Sequence, residues 1–133
     1  MTFTSLSHLP TPLDEAPRLS AELGLRILIK RDDLTGLAMG GNKARKLDYL
    51  MRYALEKGCD TVVTAGGAQS NFARMTAAAA ARLGMSCHLV LSGEAPSHFS
   101  VNLVLDRLFG AQLHFAGSDD WDELWQQVQR IAA

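Results

Sequence analysis

From residue 60 onward, short apolar runs alternate with longer segments in which apolar residues recur every three or four positions. The short runs predict β-strands, and the longer segments predict amphipathic helices. Strands are expected at 61–65, 86–91 and 112–115, with helices from Ser70 or Asn71 to Leu83, at 100–109 and from Asp120 onward. This order predicts an α/β fold, an open parallel sheet of three or four strands with right-handed crossovers and flanking helices.

The first 45 residues do not follow this alternation, so they are expected to form a different layer or part of a second domain. Region 8–17 contains three prolines and is expected to be an extended lead-in. A short helix at 17–23, stopped by Gly24, should precede a strand at 26–31 and a loop at 32–41.

Two helices carry clear start signals. Asn42 is expected to cap a helix that stops at Gly58. Asp120, with Glu123 at the third helical position, is expected to open the last helix in a variant of the capping box. The predicted apolar faces comprise Leu47, Leu50, Met51, Ala54 and Leu55 in the first helix, and Trp121, Leu124, Trp125, Val128 and Ile131 in the last. The two tryptophans are expected in the core rather than as a shelf for a cofactor.

Composition narrows the classes of partner. The net charge is −1, and 47% hydrophobic with 20% charged residues fits a globular chain without the basic field that nucleic acid requires. The longest apolar run, Ala77–Ala81, is too short to cross a bilayer, so no membrane partner is expected. Cys59 and Cys87 form no CxxC pair and, without a signal peptide, predict reduced thiols in a cytoplasmic protein. The four histidines lack metal-ligand spacing, so no metal is expected.

Lys43 is the first candidate for chemistry. It follows Gly40 and Gly41, which let the backbone approach a ligand closely, and it stands at a predicted helix start. The positive end of the helix dipole favours the neutral amine that a Schiff-base nucleophile needs. Lys46 shares its helix face and could meet a phosphate, whereas Arg45 points elsewhere and is expected to form a surface ion pair. The alternative is that both lysines are simply solvated.

A second candidate is the loop Gly66–Asn71, which follows a strand and opens a helix. Ligands of open α/β sheets bind at this edge, and the free N–H groups of a helix start hold anions such as a carboxylate. Gln69, Ser70 and Asn71 add an amide, a hydroxyl and a second amide. The loop matches neither a dinucleotide-binding nor a Walker motif. Plain helix capping is the alternative.

Asp32 and Asp33 could be read as paired carboxylates for acid–base work. More often such a pair closes a turn, and the adjacent Arg31 is placed to neutralise it. We therefore expect a structural role.

Four motifs in order resemble the D-cysteine desulfhydrase and 1-aminocyclopropane-1-carboxylate deaminase family over about residues 10–116. They are Ile29–Gly36 (IKRDDLTG), Gly40–Leu47 (GGNKARKL), Thr64–Asn71 (TAGGAQSN) with Arg74 following, and Leu105–Ala111 (LDRLFGA). The resemblance implies a fold-type II pyridoxal-phosphate enzyme, related to the tryptophan synthase β superfamily. It implies elimination from, or deamination of, a small amino acid, with pyridoxal 5'-phosphate as cofactor.

The resemblance also implies roles for particular residues. Lys43 would be the Schiff-base lysine, and Lys46 would lie near the cofactor phosphate. Asn71 would contact the cofactor ring oxygen and lie near the substrate. Ser70 would lie near the substrate carboxylate as a nucleophile or proton relay, and Gln69 would support that substrate-binding loop. Phe72 departs from the histidine or glutamine often found there, which leaves the substrate open among D-cysteine, 1-aminocyclopropane-1-carboxylate and sulfur-containing relatives.

Family chains are more than twice as long, so the resemblance implies an N-terminal fragment. Residues 1–45 would be an incomplete portion of the large cofactor-binding domain, and 46–133 most of the small α/β domain. The full-length form is expected to be a homodimer, and the fragment alone is expected to be inactive. Two other classes remain open, a catalytically inactive remnant and a small flavodoxin-like binding module.

Overall fold

The structure is a computed structural model that describes residues 5–99 and 101–133. Its strands are β1 (Leu13–Glu15), β2 (Leu28–Lys30), β3 (Thr61–Gly66), β4 (Ser86–Leu91) and β5 (Gln112–Phe115). Its helices are α1 (Pro17–Leu23), α2 (Lys43–Glu56), α3 (Asn71–Leu83), α4 (Asn102–Leu108) and α5 (Trp121–Ala132), with single 3₁₀ turns at Asp32–Leu34 and Leu37–Met39. Within these residues no helix is long and apolar enough to cross a membrane.

Strands β3, β4 and β5 form a parallel sheet in that order, which confirms the predicted fold class. Alternate residues of β4 serve the two faces of this sheet, as the strand period requires. Leu89 and Leu91 join the larger core with α3, whereas Val90 packs with Leu124 and Val128 of α5 on the opposite face. The predicted helix at 100–109 is shorter in the structure, and its expected first residue, Ser100, lies outside the described residues.

Helix α3 forms the centre of the molecule. Its stretch Ala77–Ala80 is buried, and the small side chains let α2, α4 and the sheet all pack closely around it. Leu47 and Met51 of α2 are buried in this core, as predicted, together with Ala44, whereas Leu50 is half exposed.

The N-terminal region forms its own two-stranded antiparallel sheet of β1 and β2. The predicted extended lead-in therefore contains a strand that the sequence analysis did not identify. The second strand covers only Leu28–Lys30, shorter than the predicted 26–31, because only these residues have a partner strand. All three are exposed, so no core holds a longer strand in place.

The helix caps agree only in part with the prediction. Ser70 caps α3, since its Oγ accepts a hydrogen bond from the Ala73 N–H at 3.2 Å. Asp120 caps α5, but its own N–H donates to Ser118 Oγ, so the reciprocal capping box does not form. Asn42 precedes α2 as predicted, yet its side chain makes no cap because its backbone is already helical.

The expectation that Trp121 and Trp125 lie in the core is wrong. They are 64% and 56% exposed, while Leu124 and Val128 fill the contact with the sheet. A three-stranded sheet offers α5 only a narrow apolar surface, and the two tryptophans lie at the margin of the buried stripe.

The loop before α2 is built around Thr35, a fully buried residue. Its hydroxyl accepts from the Gly41 N–H at 2.9 Å and lies 2.9 Å from the Gly41 carbonyl oxygen. Gly40, at φ +76°, passes so close to Asp33 that an added Cβ would lie 1.8 Å from the Asp33 carbonyl oxygen. Only glycine fits at this position, because both the backbone angle and the space exclude a side chain.

We therefore expect Gly40→Ala to lower the free energy of unfolding by about 3 kcal/mol or more, since the backbone must move to relieve the clash. Gly24→Ala is the matched control. Gly24 also has a positive φ, +64°, but an added Cβ there would meet nothing within 4 Å. Its loss should stay near 1 kcal/mol, the cost of the left-handed conformation. Equal losses in urea denaturation would contradict the steric argument.

Asp106 is a buried carboxyl group between α4 and the core. It is fully buried, and neither carboxylate oxygen has a hydrogen-bond partner. Burial raises the pKa of Asp106 to about 6, although the positive charge of Arg74 acts in the opposite direction. Burial, with a smaller effect from Asp106, also raises the pKa of the Cys87 thiol to about 12, so Cys87 is an inert core residue.

This burial predicts a pH dependence of stability. Between about pH 4 and pH 6 the folded protein keeps a proton on Asp106 that the unfolded chain releases, so the free energy of unfolding falls as pH rises through this window. We expect the stability of the wild type relative to Asp106→Asn to fall by about 2 to 3 kcal/mol between pH 4 and pH 7 in urea titrations. Asp119→Asn, at an exposed position, is the control. A difference that does not change with pH would exclude a raised pKa.

Candidate active site

The candidate loop after β3 lies at the carboxyl edge of the parallel sheet. The Ser92 N–H, after β4, donates to the Gly66 carbonyl oxygen at 2.9 Å, and a Cβ added to Gly67 would lie 3.9 Å from Ser92 Oγ. The ends of two neighbouring strands therefore meet the start of α3 here, in the position where open α/β sheets bind ligands.

The loop at 32–41 that precedes α2, here called the lysine loop, packs against this same helix start. A Cβ added to Gly41 would lie 3.3 Å from Met75 Sδ and 3.7 Å from Asn71 Nδ2. Gly41 has φ +137°, and Lys43 is the first residue of α2, two positions later. The structure thus brings the two predicted segments, which are far apart in sequence, to one place.

Lys43 and Lys46 have different surroundings. Lys43 is partly buried in the first turn of α2. The Lys46 Nζ lies 3.8 Å from the centre of the Phe72 ring, a cation–π contact with the first turn of α3. This contact was not anticipated, and it shows that Phe72, where the sequence departs from the family pattern, faces a candidate cofactor-binding lysine.

The Ser70 hydroxyl is partly buried beneath Gly66, where an added Cβ would lie 3.0 Å from Ser70 Oγ. Its oxygen accepts from the Ala73 N–H, so the hydroxyl proton is available to a further acceptor. The first N–H groups of α3, at Asn71 and Phe72, are not used by hydrogen bonds within the helix. A hydroxyl, an amide and a helix start therefore adjoin one another.

Gln69 is held by α4. Its side-chain Oε1 accepts from the Asn102 N–H at 3.1 Å, and its carbonyl oxygen accepts from Asn102 Nδ2 at 2.7 Å. The sequence analysis missed Asn102, and it also missed Thr35 in the lysine loop. No sequence pattern identifies either residue, because each acts through a contact distant along the chain.

Asp32 and Asp33 each form an ion pair with an arginine, as a structural role would require. Arg45 Nη2 lies 2.7 Å from Asp32 Oδ1, which confirms the expected ion pair, and Arg31 Nη2 lies 2.7 Å from Asp33 Oδ2. The hydrogen bonds from these arginines hold the pKa of both carboxyl groups below their usual range. Both aspartates therefore stay ionised and structural at neutral pH.

The donor set suits a carbonyl ligand that carries an anion. A primary amine at Lys43, the Asn71 amide and the N–H groups that open α3 provide a nucleophile, a hydrogen-bond donor and an anion site. Glycine at 40 and 41 lets the backbone pass close to Asp33 and to the start of α3, where an added Cβ would be crowded. The described residues contain no group of three side chains placed to hold a metal ion.

Comparison with known proteins finds relatives that cover most of this chain. The chain is 51% identical over 132 residues to a D-cysteine desulfhydrase of Salmonella paratyphi B, covering 93% of this chain and 40% of that protein. It is 45% identical to a candidate 1-aminocyclopropane-1-carboxylate deaminase of Pyrococcus abyssi, covering 92% of this chain and 36% of the relative. A crystal structure described as an ACC deaminase homologue superposes with a TM-score of 0.88 at 42% identity, covering 96% of this chain and 38% of that one.

These matches confirm the predicted resemblance and fold, and the chain spans well under half the length of the relatives it matches. The matching family consists of enzymes that use pyridoxal phosphate, which confirms the cofactor predicted from the sequence motifs. Because residues 4–133 match the model of the pyridoxal-phosphate dependent enzymes, the chain belongs to that family.

Proposed function

We propose that this chain supplies the lysine-bearing half of an active site that eliminates from, or deaminates, a small amino acid. The observation that supports this most directly is the packing of Gly41 against Asn71 and Met75. It places the first turn of α2, with Lys43, beside the first turn of α3. Two segments with the family motifs then face one ligand, whereas simple capping or solvation would not require them to meet.

In this proposal, the chain's own residues hold the cofactor from two helices. The Lys43 amine would hold the carbonyl group of the cofactor, and the Asn71 amide would donate to its ring oxygen. Lys46 provides a positive charge on the same side, held over the Phe72 ring. When bound, pyridoxal phosphate supplies an electron sink for bonds at the substrate α-carbon.

Ser70 and Gln69 form the substrate side of the proposed site. The Ser70 hydroxyl donates to the substrate carboxylate or moves a proton at its Oγ, since that oxygen already accepts from the Ala73 N–H. Gln69 holds the loop through Asn102. D-cysteine and 1-aminocyclopropane-1-carboxylate are the substrate candidates, because relatives of both kinds match the chain.

We also propose a division near residue 45. The separate β1–β2 sheet supports assigning residues 1–45 to a larger cofactor-binding domain, and the parallel sheet supports assigning 46–133 to a small α/β domain. The full-length protein is proposed to be a homodimer.

The assignment of Lys43 has a direct test in the full-length protein. Pyridoxal phosphate followed by borohydride should leave a stable label on the peptide that carries Lys43, and Lys43→Ala should abolish both the label and turnover. The helix should survive, because alanine is a strong helix former. Lys57→Ala, at the exposed end of α2, is the control and should label normally. If borohydride labels another lysine in the wild type, and that label persists at full yield in Lys43→Ala, the assignment is wrong.

The role of Ser70 requires separating chemistry from capping. Ser70→Ala should lower turnover by about one to three orders of magnitude, the size of a lost proton-transfer or transition-state contact. Ser70→Asn keeps a good N-cap acceptor for α3 but removes the hydroxyl. We expect Ser70→Asn to restore thermal stability without restoring turnover of D-cysteine or 1-aminocyclopropane-1-carboxylate. Recovery of both would leave capping as the whole role of Ser70.

A further inference from the structure

Arg74 is a cation in the middle of an otherwise apolar helix face. It lies in α3 next to the buried alanine stretch and is only 8% exposed. Burying a guanidinium group is costly unless its N–H groups are used. The proposed function assigns no role to it, so its contacts need an explanation.

One contact of Arg74 reaches the lysine loop. Its Nη2 donates to the Gly40 carbonyl oxygen at 3.4 Å, a long hydrogen bond from a charged group. Gly40 is the residue whose backbone passes directly against Asp33, three positions before Lys43. A side chain of α3 therefore contacts the backbone of the lysine loop.

The other contact of Arg74 connects it, through one bridging residue, to the loop Gly66–Asn71, here called the substrate loop. Its Nη1 donates to Asn102 Oδ1 at 2.8 Å, and Asn102 is 6% exposed. The Asn102 side-chain amide in turn donates to the Gln69 carbonyl oxygen, and its backbone N–H donates to Gln69 Oε1. A single guanidinium group is thus connected to both loops of the site.

The shape of the arginine side chain matters for this connection. A guanidinium group is a rigid planar fork, so two of its N–H groups hold two acceptors at a fixed separation. A lysine ammonium offers charge without that fixed geometry. The Nε–H has no hydrogen-bond partner, and the charge of Arg74 also acts on buried Asp106.

We propose that Arg74 is a positioning residue that fixes the lysine loop and the substrate loop relative to each other. This inference rests on the proposed function for its catalytic meaning, but the coupling of the two loops is a property of the chain without ligand. Arg74 touches neither cofactor nor substrate in this proposal, and it acts through Gly40 and Asn102.

The test is hydrogen exchange of backbone amides in the ligand-free full-length protein. In Arg74→Met, we expect exchange to rise about tenfold or more in both loops, at Gly41 and Ala44 and at Ser70 and Ala73, as for loss of a charge-assisted hydrogen bond. Amides of β4 should keep wild-type rates. Arg82→Met, an exposed arginine on the same helix, is the matched control and should change neither loop.

Two further variants separate bridging from charge. Asn102→Ala removes only the connection from Arg74 to the substrate loop. Exchange should therefore rise at Ser70 and Ala73 and stay at the wild-type rate at Gly41. Arg74→Lys keeps the positive charge beside Asp106 but loses the planar guanidinium group. It should therefore not restore the wild-type exchange rates in both loops. If Arg74→Lys behaves as the wild type, the residue only balances buried charge, and the proposal is overturned.

The same samples distinguish this inference from the proposed function. Pyridoxal phosphate and borohydride labelling of Lys43 should slow about tenfold or more in Arg74→Met and remain unchanged in Arg82→Met. If the wild type fails to label at Lys43 while exchange still rises in both loops, the coupling stands and the proposed function fails. If the wild type labels and exchange in Arg74→Met matches the wild type in both loops, the positioning role is wrong. A rise spread evenly over β4 and the loops would indicate general loosening and would also overturn it.

Discussion

The close packing around α3 is the constraint on which the rest of the structure depends. Alanine side chains at 77–80 let α2, α4 and the sheet approach one helix from three sides. A larger residue in this stretch would push these elements apart, because interiors of this density do not absorb extra methylene groups without strain. One loop of the candidate site leads into α2 and the other into α3, and these two helices pack against each other. Their separation is consequently set by the size of side chains that take no part in the chemistry.

The contact between α3 and α4 contains buried polar groups. Arg74, Asn102 and Asp106 are all buried around its contact with α4. Asp106 lacks a hydrogen-bond partner for either oxygen, which is an unfavourable state for an ionised carboxylate. The core around α3 therefore combines close apolar packing with buried polar groups. Removing one partner of such a polar contact is costly, because it leaves the other buried without compensation.

The sequence predicted most of the elements because their signals are local. Gly24 and Gly84 end helices, Asp120 and Ser70 begin them, and the strand runs of the parallel sheet lie where expected. The family, the fold and the cofactor class followed from motifs that match in order. Local signals also explain the Arg31–Asp33 ion pair, whose partners are two residues apart.

What the sequence did not predict depends on distant partners. β1 exists only because β2 pairs with it, and Thr35 and Asn102 act on residues that no local pattern connects to them. The exposed tryptophans were misjudged because periodicity gives the direction of a face but not the width of the surface that covers it.

The position of those tryptophans has a practical consequence for spectroscopy. Trp121 and Trp125 are the only two tryptophans in the chain, and both lie on α5. This helix packs on the face of the sheet opposite to α3. Intrinsic fluorescence therefore reports on the solvent exposure and docking of α5, and its emission is that of indoles already in contact with water. Changes at the lysine loop and the substrate loop would leave this fluorescence almost unchanged, so a separate chromophore or an introduced indole is needed to observe them.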